Sequence, residues 1–163
     1  MSTLMNAPEY NEASENRKRN LLIGAGVLVL LAIILCLGGY IMGHGWFFTN
    51  LKAEHRVNVF FKDLETKDYA GAYGLWQNDP NWAQHPKQYS YPLQRFIEDW
   101  TTESPVHEPI TSHHVDISKT DGSGTFGTGI IVAVRVNGNN KVFMYYSKID
   151  GTLEWPAPHI LEY

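Results

Sequence analysis

Titratable side chains are densest in the stretch His113-His114-Val115-Asp116. In a β-strand, residues i and i+2 point to the same face about 7 Å apart, so His114 and Asp116 are expected to be neighbours. A histidine beside a carboxylate can act as an acid/base pair, and the same two side chains can ligate a metal ion. However, His113 would point to the opposite face, and no third ligand follows at a recognisable spacing. An ordinary solvated strand face is therefore the alternative, and no cofactor is predicted.

No catalytic motif accompanies this pair. Asp99 is a second candidate, but it only neighbours the apolar helix face that holds Trp100, so an exposed carboxylate is expected there. The sequence contains no nucleophile elbow, HExxH motif or cysteine pair. The glycines of residues 121–129 precede a predicted strand, whereas a phosphate cradle needs a helix terminus. A formal charge of −4 without a basic stripe argues against nucleic acid as a partner.

A long aromatic loop is the other candidate for function. Residues 77–91 read QNDPNWAQHPKQYSY, and loops of this length are usually functional or disordered. The aromatic residues argue against disorder and favour a recognition surface or a pocket lid, although they can equally fold back over the open end of the core. Together with aromatic residues on the inward helix faces, they give the predicted ligand-binding or partner-binding set: Tyr69, Tyr73, Trp76, Trp82, Tyr89, Tyr91 and Trp100.

The first structural element in the chain is an uncharged apolar run from Leu21 to Met42. A helix rises about 1.5 Å per residue, so this run extends roughly 33 Å and can cross a hydrocarbon core of about 30 Å. It is longer than the apolar part of a cleaved signal, roughly 7 to 15 residues. We therefore expect a retained single-pass anchor whose partner is the lipid bilayer.

Basic residues lie on one side of this span. Arg17, Lys18 and Arg19 adjoin it, whereas the far side has no Lys or Arg before Lys52. The positive-inside rule then predicts a protein of the cytoplasmic membrane with its N-terminus in the cytoplasm, and the alternative is a solvated basic flank. The expected organisation is a disordered cytoplasmic tail, a transmembrane helix, a juxtamembrane linker and one extracytoplasmic domain, over residues 1–20, 21–43, 44–50 and 51–163.

Two glycines stand at the end of the span. Gly39 and Gly43 form a small-xxx-small pair, which can let two membrane helices approach closely. A homo-oligomer is therefore one open interpretation, and two lipid-facing glycines are the other.

The domain opens with three helical patterns. In each, apolar residues recur at i, i+3, i+4 and i+7, the spacing that places four side chains on one helix face. The three sets are Val57, Phe60, Phe61 and Leu64; Tyr69, Ala72, Tyr73 and Trp76; and Leu93, Phe96, Ile97 and Trp100.

After residue 109 the apolar period changes to two. Val115 and Ile117 are predicted to share one strand face, and further strands are predicted over 130–136, 141–149 and 152–155. Three helices packed on one face of an antiparallel sheet of about four strands make an α+β fold.

These residues resemble a known family. NTF2-like domains open with a helix pair that is similar to the run Val57-x-x-Phe60-Phe61-x-x-Leu64-x-x-x-Asp68-Tyr69-x-x-Ala72-Tyr73-x-Leu75-Trp76. The resemblance covers about residues 51–155 and implies a curved sheet that wraps around helices to form a cone. Membrane-anchored members look like parts of envelope secretion assemblies, whereas ketosteroid isomerases and scytalone dehydratases are enzymes with acid/base residues inside the cone.

Two functions follow as expectations. The first is a non-catalytic, membrane-anchored binding or assembly module with a protein partner in the envelope. The second is a small-molecule-binding protein or an enzyme that uses the interior of the cone. An enzyme needs polar titratable groups among its inward residues, and the inward helix positions are apolar except for the hydroxyls of Tyr69 and Tyr73. The sequence therefore favours the first function.

Overall fold

The computed structural model describes residues 11–85, 88–121 and 127–163, and it has an α+β architecture. Within these residues, four α-helices precede a four-stranded antiparallel sheet. The helices are α1 (Glu12–Ile41), α2 (Leu51–Glu65), α3 (Tyr69–Trp76) and α4 (Leu93–Trp100). The strands are β1 (His113–Thr120), β2 (Gly129–Val136), β3 (Asn140–Ser147) and β4 (Leu153–Glu154). Residues 1–10, the loop residues Pro86 and Lys87, and most of the glycine-rich turn lie outside the described residues.

Helix α1 contains the predicted span and extends it toward the N-terminus. Among the described residues it is the one helix long and apolar enough to cross a membrane. It begins at Glu12, where the Asn11 side chain accepts a hydrogen bond from the Ser14 N–H at 3.1 Å. Residues 12–20 are therefore helical, which corrects the expected disorder over that part of the tail. The reason is that an existing helix gains residues cheaply, because each one adds a hydrogen bond without a new nucleation step.

The three domain helices follow the predicted apolar faces. Val57, Phe60 and Phe61 of α2 are completely buried, as are Ala72 of α3 and Phe96 of α4. These side chains meet on one face of the sheet and form the core together with apolar strand residues. The spacing of four apolar residues per two turns thus correctly predicted which side of each helix faces the interior.

The sheet is a meander in the order β1-β2-β3-β4. Ile130, Val132 and Val134 of β2 belong to the core, and their register partners on β3 are Tyr146, Met144 and Val142. Because side chains alternate along a strand, Ile131 and Ala133 lie on the opposite face, which we call the outer face, and both are also completely buried there.

A β-bulge at Asp116 interrupts the alternation of β1. Val115 pairs with Val134 and Ile117 pairs with Ala133, so Asp116 is an extra residue in the ladder. Val115 therefore faces the core, whereas Ile117 lies on the outer face beside Ala133. The prediction that Val115 and Ile117 share a face is wrong, because a bulge shifts every later side chain by one position. Ser118 takes the inward position instead and is buried.

Candidate functional site

The C-terminal end of α1 is joined directly to β1. The carbonyl oxygen of Gly43 accepts hydrogen bonds from the backbone N–H of Ser118 at 2.7 Å and from the Ser118 hydroxyl at 3.3 Å. Gly43 has a φ of +80°, and a Cβ there would lie 2.8 Å from Ile117 Cγ2. Only glycine meets both conditions without strain, so the close approach of α1 to the sheet requires Gly43.

Gly39 has a related role one turn earlier. It is buried, and a Cβ on it would overlap the carbonyl oxygen of Gly45. The chain after α1 folds back here, since the N–H of His44 donates to the Gly39 carbonyl oxygen at 2.9 Å. Both glycines of the small-xxx-small pair are therefore packed within this chain, and neither interpretation from sequence, helix pairing or simple lipid exposure, is needed to explain them.

A buried carboxylate fastens this joint. Glu54 of α2 is 7% exposed, and its carboxylate accepts the Ser118 hydroxyl at 2.5 Å. His44 Nδ1 lies 2.8 and 3.0 Å from the two Glu54 oxygens. The Asn50 side chain adds a hydrogen bond to the Ser118 carbonyl oxygen at 3.3 Å. We call His44, Glu54 and Ser118 the junction triad.

The junction triad has the residue types of a hydrolase but the wrong order. In a nucleophilic triad the histidine lies between the serine and the carboxylate, so that it can take the serine proton. Here Glu54 lies between Ser118 and His44, and Ser118 is 1% exposed. The arrangement satisfies buried polar groups, as a folded interior requires, and it offers no accessible nucleophile.

A large cavity of about 830 Å³ opens beside the junction triad. One wall is formed by the end of α1 and the turn that follows it. The other wall is formed by the end of β1, the residue after β3, and Tyr163. The residues on the two sides are Tyr40, Ile41, Met42 and Trp46 facing Ile117, Lys119, Lys148 and Tyr163.

Asp116 is not a free acid/base group. Its carboxylate accepts Arg135 Nε at 2.7 and 2.9 Å and the Tyr163 hydroxyl at 2.7 Å. Burial and then the bond to Asp116 raise the pKa of Tyr163 to about 12. His114 is exposed, and its Nε2 is 3.7 Å from Asp116 Oδ1. The two predicted partners are thus close, but Asp116 is occupied by Arg135 and holds the C-terminal residue on the sheet.

His113 lies on the other side of β1, as predicted. Its Nδ1 is 2.6 Å from Glu65 Oε1, its Nε2 is 3.0 Å from Asn58 Oδ1, and its ring stacks on Phe61 with centroids 5.6 Å apart. These contacts attach β1 to α2. In the part of the chain that the structure describes, no group of three or more His, Cys, Asp or Glu side chains is arranged to hold a metal ion.

Asp99 is engaged rather than freely exposed. Its carboxylate accepts the Tyr91 hydroxyl at 2.7 Å and pairs with Arg95 at 2.9 Å. Burial, followed by the hydrogen bond to Asp99, raises the pKa of Tyr91 well above its ordinary value. Asp99 therefore fastens the C-terminal end of the aromatic loop to α4.

The N-terminal half of the aromatic loop is organised around Asp79. Its carboxylate accepts the Tyr89 hydroxyl at 2.5 Å and the Asn81 N–H at 2.8 Å, and His85 Nε2 lies 2.6 Å away. The Tyr89 bond is the main cause that lowers the pKa of Asp79, and the same bond raises the pKa of Tyr89 to about 12. A short 3₁₀ turn, Trp82–Gln84, lies between these contacts.

The seven predicted aromatic residues divide into two groups. Tyr73 and Trp100 are buried in the core, where Trp100 packs edge-on against Phe60 at 5.0 Å and against Phe61 at 5.9 Å. Both residues therefore contribute to the packing of the core. The others are half-buried at the surface: Tyr69, Trp76, Trp82, Tyr89 and Tyr91.

The loop also covers the core, which was the alternative interpretation of its aromatic residues. The Trp82 ring packs edge-on against Tyr73 at 5.0 Å, and its Nε1–H donates to the Ala70 carbonyl oxygen at 3.2 Å. On its other side the loop lines a smaller cleft of about 340 Å³, in which Trp76, Tyr89 and Tyr91 face the residues Asp150 and Glu154. We call this feature the loop cleft.

The junction triad and the neighbouring cavity were missed from sequence. One signal was available, since Glu54 precedes Val57 by three residues and so carries a carboxylate on the buried face of α2. Its partner Ser118 is 64 residues away, and no local pattern connects the two.

Comparisons with known proteins add no assignment. The sequence matches no family model, and the curated proteins and the solved structures give no significant match.

Proposed function

We propose that the protein is a membrane-anchored, non-catalytic binding or assembly module. In this proposal α1 spans the cytoplasmic membrane, residues 51–163 form an NTF2-like domain at its outer face, and the domain belongs to a larger envelope complex. The observation that carries the proposal is that the candidate carboxylates Asp116 and Asp99 are bonded to structural partners while half-buried aromatic residues line the surface.

The pairing of the candidate carboxylates supports binding over catalysis. Asp116 is paired with Arg135, Asp99 with Arg95, and Glu54 with the Ser118 hydroxyl. A general base needs an unoccupied position within hydrogen-bond reach of a substrate. The aromatic side chains of α2, α3 and α4 likewise pack against one another in the core, where Phe60, Phe61, Tyr73, Phe96 and Trp100 are buried.

The loop cleft is the proposed partner surface. Tyrosine and tryptophan are enriched at interfaces, because each gives a large contact area with little loss of side-chain entropy. Trp76, Tyr89 and Tyr91 are half-buried here, and the Asp79 and Asp99 contacts hold the loop in one conformation. A surface that is already ordered loses less entropy when it binds.

The fold and the anchor support the remaining parts of the proposal. Three helices on one face of an antiparallel sheet are compatible with an NTF2-like domain, although the sheet here is a simple meander. The apolar length of α1 supports a membrane anchor, and Arg17, Lys18 and Arg19 at its N-terminal end favour a cytoplasmic N-terminus.

The experiment is a pull-down of the full chain from detergent-solubilised membranes. Wild type is compared with the double variant Tyr89→Ala/Tyr91→Ala, which truncates two residues of the loop cleft, and with Lys62→Ala, an exposed change on α2. The proposal expects a stoichiometric partner with wild type and Lys62→Ala, and a loss of at least ten-fold with the double variant at unchanged secondary structure. Equal recovery with all three chains, or no stoichiometric partner at all, would contradict it and would favour a small-molecule ligand instead.

A further inference from the structure

The cavity beside the junction triad has two chemically different walls. Tyr40, Ile41 and Met42 at the end of the predicted span form an apolar wall together with Trp46. The opposite wall includes the basic residues Lys119 and Lys148, near the ends of β1 and β3. An apolar wall facing two cations is a lining for an amphiphilic anion.

The position of the cavity relative to the span limits what can enter it. Met42 is the last residue of the predicted span, so the apolar wall lies where the hydrocarbon region of a bilayer is expected to end. The Tyr40 and Trp46 rings stack with centroids 4.7 Å apart, and such amphipathic aromatic residues are typical of the headgroup level. The lysine wall belongs to the domain, on the aqueous side of that level.

The two cations have no internal counter-charge. Lys119 and Lys148 are exposed, and neither forms an ion pair within the residues that the structure describes. The chain as a whole carries a formal charge of −4, so two lysines without an ion pair that line the same cavity are a local exception. Charge complementarity therefore favours a ligand with a negative headgroup.

We propose that this cavity binds an anionic phospholipid of the bilayer that holds α1. Lys119 and Lys148 contact the phosphate, and the upper part of an acyl chain lies against Tyr40, Ile41 and Met42. The proposal rests on the membrane anchoring proposed above. A volume of about 830 Å³ admits a headgroup with its glycerol and the first carbons of a chain, and the remainder of the lipid stays in the bilayer.

The test uses the full chain in detergent with phosphatidylglycerol or phosphatidylcholine added, and native mass spectrometry counts the bound lipid. The variant Lys119→Gln/Lys148→Gln removes both cations. Lys62→Gln/Lys67→Gln removes the same charge from the far end of α2 and serves as the matched control. All four lysines are exposed, so neither variant is expected to change the melting temperature.

We expect one tightly bound phosphatidylglycerol per chain and weaker binding of phosphatidylcholine. A basic residue at an anionic lipid surface contributes roughly a five-fold factor, so the Lys119/Lys148 variant should lose about 25-fold and the control less than two-fold. Equal affinity for the two lipids, or equal losses in both variants, would overturn the proposal.

Flotation with vesicles of phosphatidylcholine alone separates this inference from the anchoring on which it rests. If the chain floats but shows no preference for phosphatidylglycerol, the membrane anchoring is supported and the lipid site is contradicted. A chain that stays at the bottom of the gradient overturns both.

Discussion

The backbone N–H of Ser118 donates to the carbonyl oxygen of Gly43 at 2.7 Å, so β1 and the end of the apolar helix share a hydrogen bond. Glu54 approaches the same point from α2, through the Ser118 hydroxyl. The end of α1, α2 and β1, which are distant in sequence, therefore meet at the hydrogen bonds of Ser118.

Replacing Gly43 by Ala should weaken the contact between the end of α1 and β1. The φ of +80° and the contact with Ile117 both oppose a Cβ, and we expect a loss of about 1 to 3 kcal/mol. Gly38→Ala, inside α1, is the control, because a Cβ at Gly38 meets no atom within 4 Å. Denaturant unfolding of the full chain in detergent measures both, and equal stability of the two variants would refute the role of Gly43.

Replacing Glu54 by Ala should leave the Ser118 hydroxyl and His44 without their common partner. Buried polar groups left unpaired cost about 1 to 3 kcal/mol each, so a loss of at least 2 kcal/mol is expected. His55→Ala, the exposed neighbour on α2, should change stability by less than about 0.5 kcal/mol. A loss at Glu54 as small as the loss at His55 would mean that the junction triad contributes nothing.

The fragment 50–163 should fold without α1 and show mixed helix and sheet by circular dichroism. Phe60 is completely buried and Trp100 is 3% exposed, and their rings pack against each other. Substituting either by Ala should cost about 3 to 5 kcal/mol in urea unfolding. A loss below about 1 kcal/mol at both positions would show that the core has been assigned to the wrong faces.

The Tyr89–Asp79 bond should make the loop sensitive to pH at both extremes. The pKa of Tyr89 is raised from 10.0 to about 12, so its contribution is complete below pH 10 and is lost as the pH rises toward 12. The pKa of Asp79 is lowered from 3.8, so its contribution is present above that value and is lost as the pH falls through the lower folded pKa. The loop is thus held most firmly between these limits.

Spectrophotometric titration of the tyrosines checks the alkaline limit. Asp79→Asn should move one tyrosine from about 12 toward its ordinary pKa of 10.0, and Tyr89→Phe should remove that tyrosine from the curve. Asp63→Asn, whose charged neighbours are Asp68 and Lys62, is the control and should leave the curve unchanged. A curve for Asp79→Asn identical to that of wild type would exclude the bond.

The proposed orientation predicts a protease pattern. Protease added to intact spheroplasts should digest residues 44–163 and leave the segment that carries Arg17, Lys18 and Arg19. Permeabilised cells are the control, in which both parts should be digested. Protection of the domain in intact spheroplasts would reverse the orientation.

The parts of the fold that were predictable depend on local repetition. Val57, Phe60 and Phe61 recur at helical spacing, so their burial followed from the sequence of α2 alone. The face of Ile117 did not follow, because the bulge at Asp116 has no signature in a single sequence and reverses the alternation after it. The bulge is also what turns Ser118 inward toward Glu54.

The candidate site was predictable to a smaller extent for the same reason. Tyr89 and Tyr91 were proposed from the length and composition of their loop and lie half-buried at its surface, whereas Tyr73 and Trp100 of the same predicted set are buried in the core. An aromatic residue on an inward helix face shows the same spacing in the sequence whether it lines an open pocket or packs in a filled core. Packing is decided by side chains from distant elements, which a local pattern does not include.

The short connection between α1 and the domain has a mechanical consequence. The N–H of His44 is bonded to Gly39 and the N–H of Asn50 to His44, while Gly43 is bonded to Ser118, so the connection holds the two parts in one arrangement. A membrane helix tilts to match the thickness of its bilayer. In the proposed membrane-anchored arrangement, this connection would make the domain tilt together with α1, so the direction in which the loop cleft faces would depend on membrane thickness.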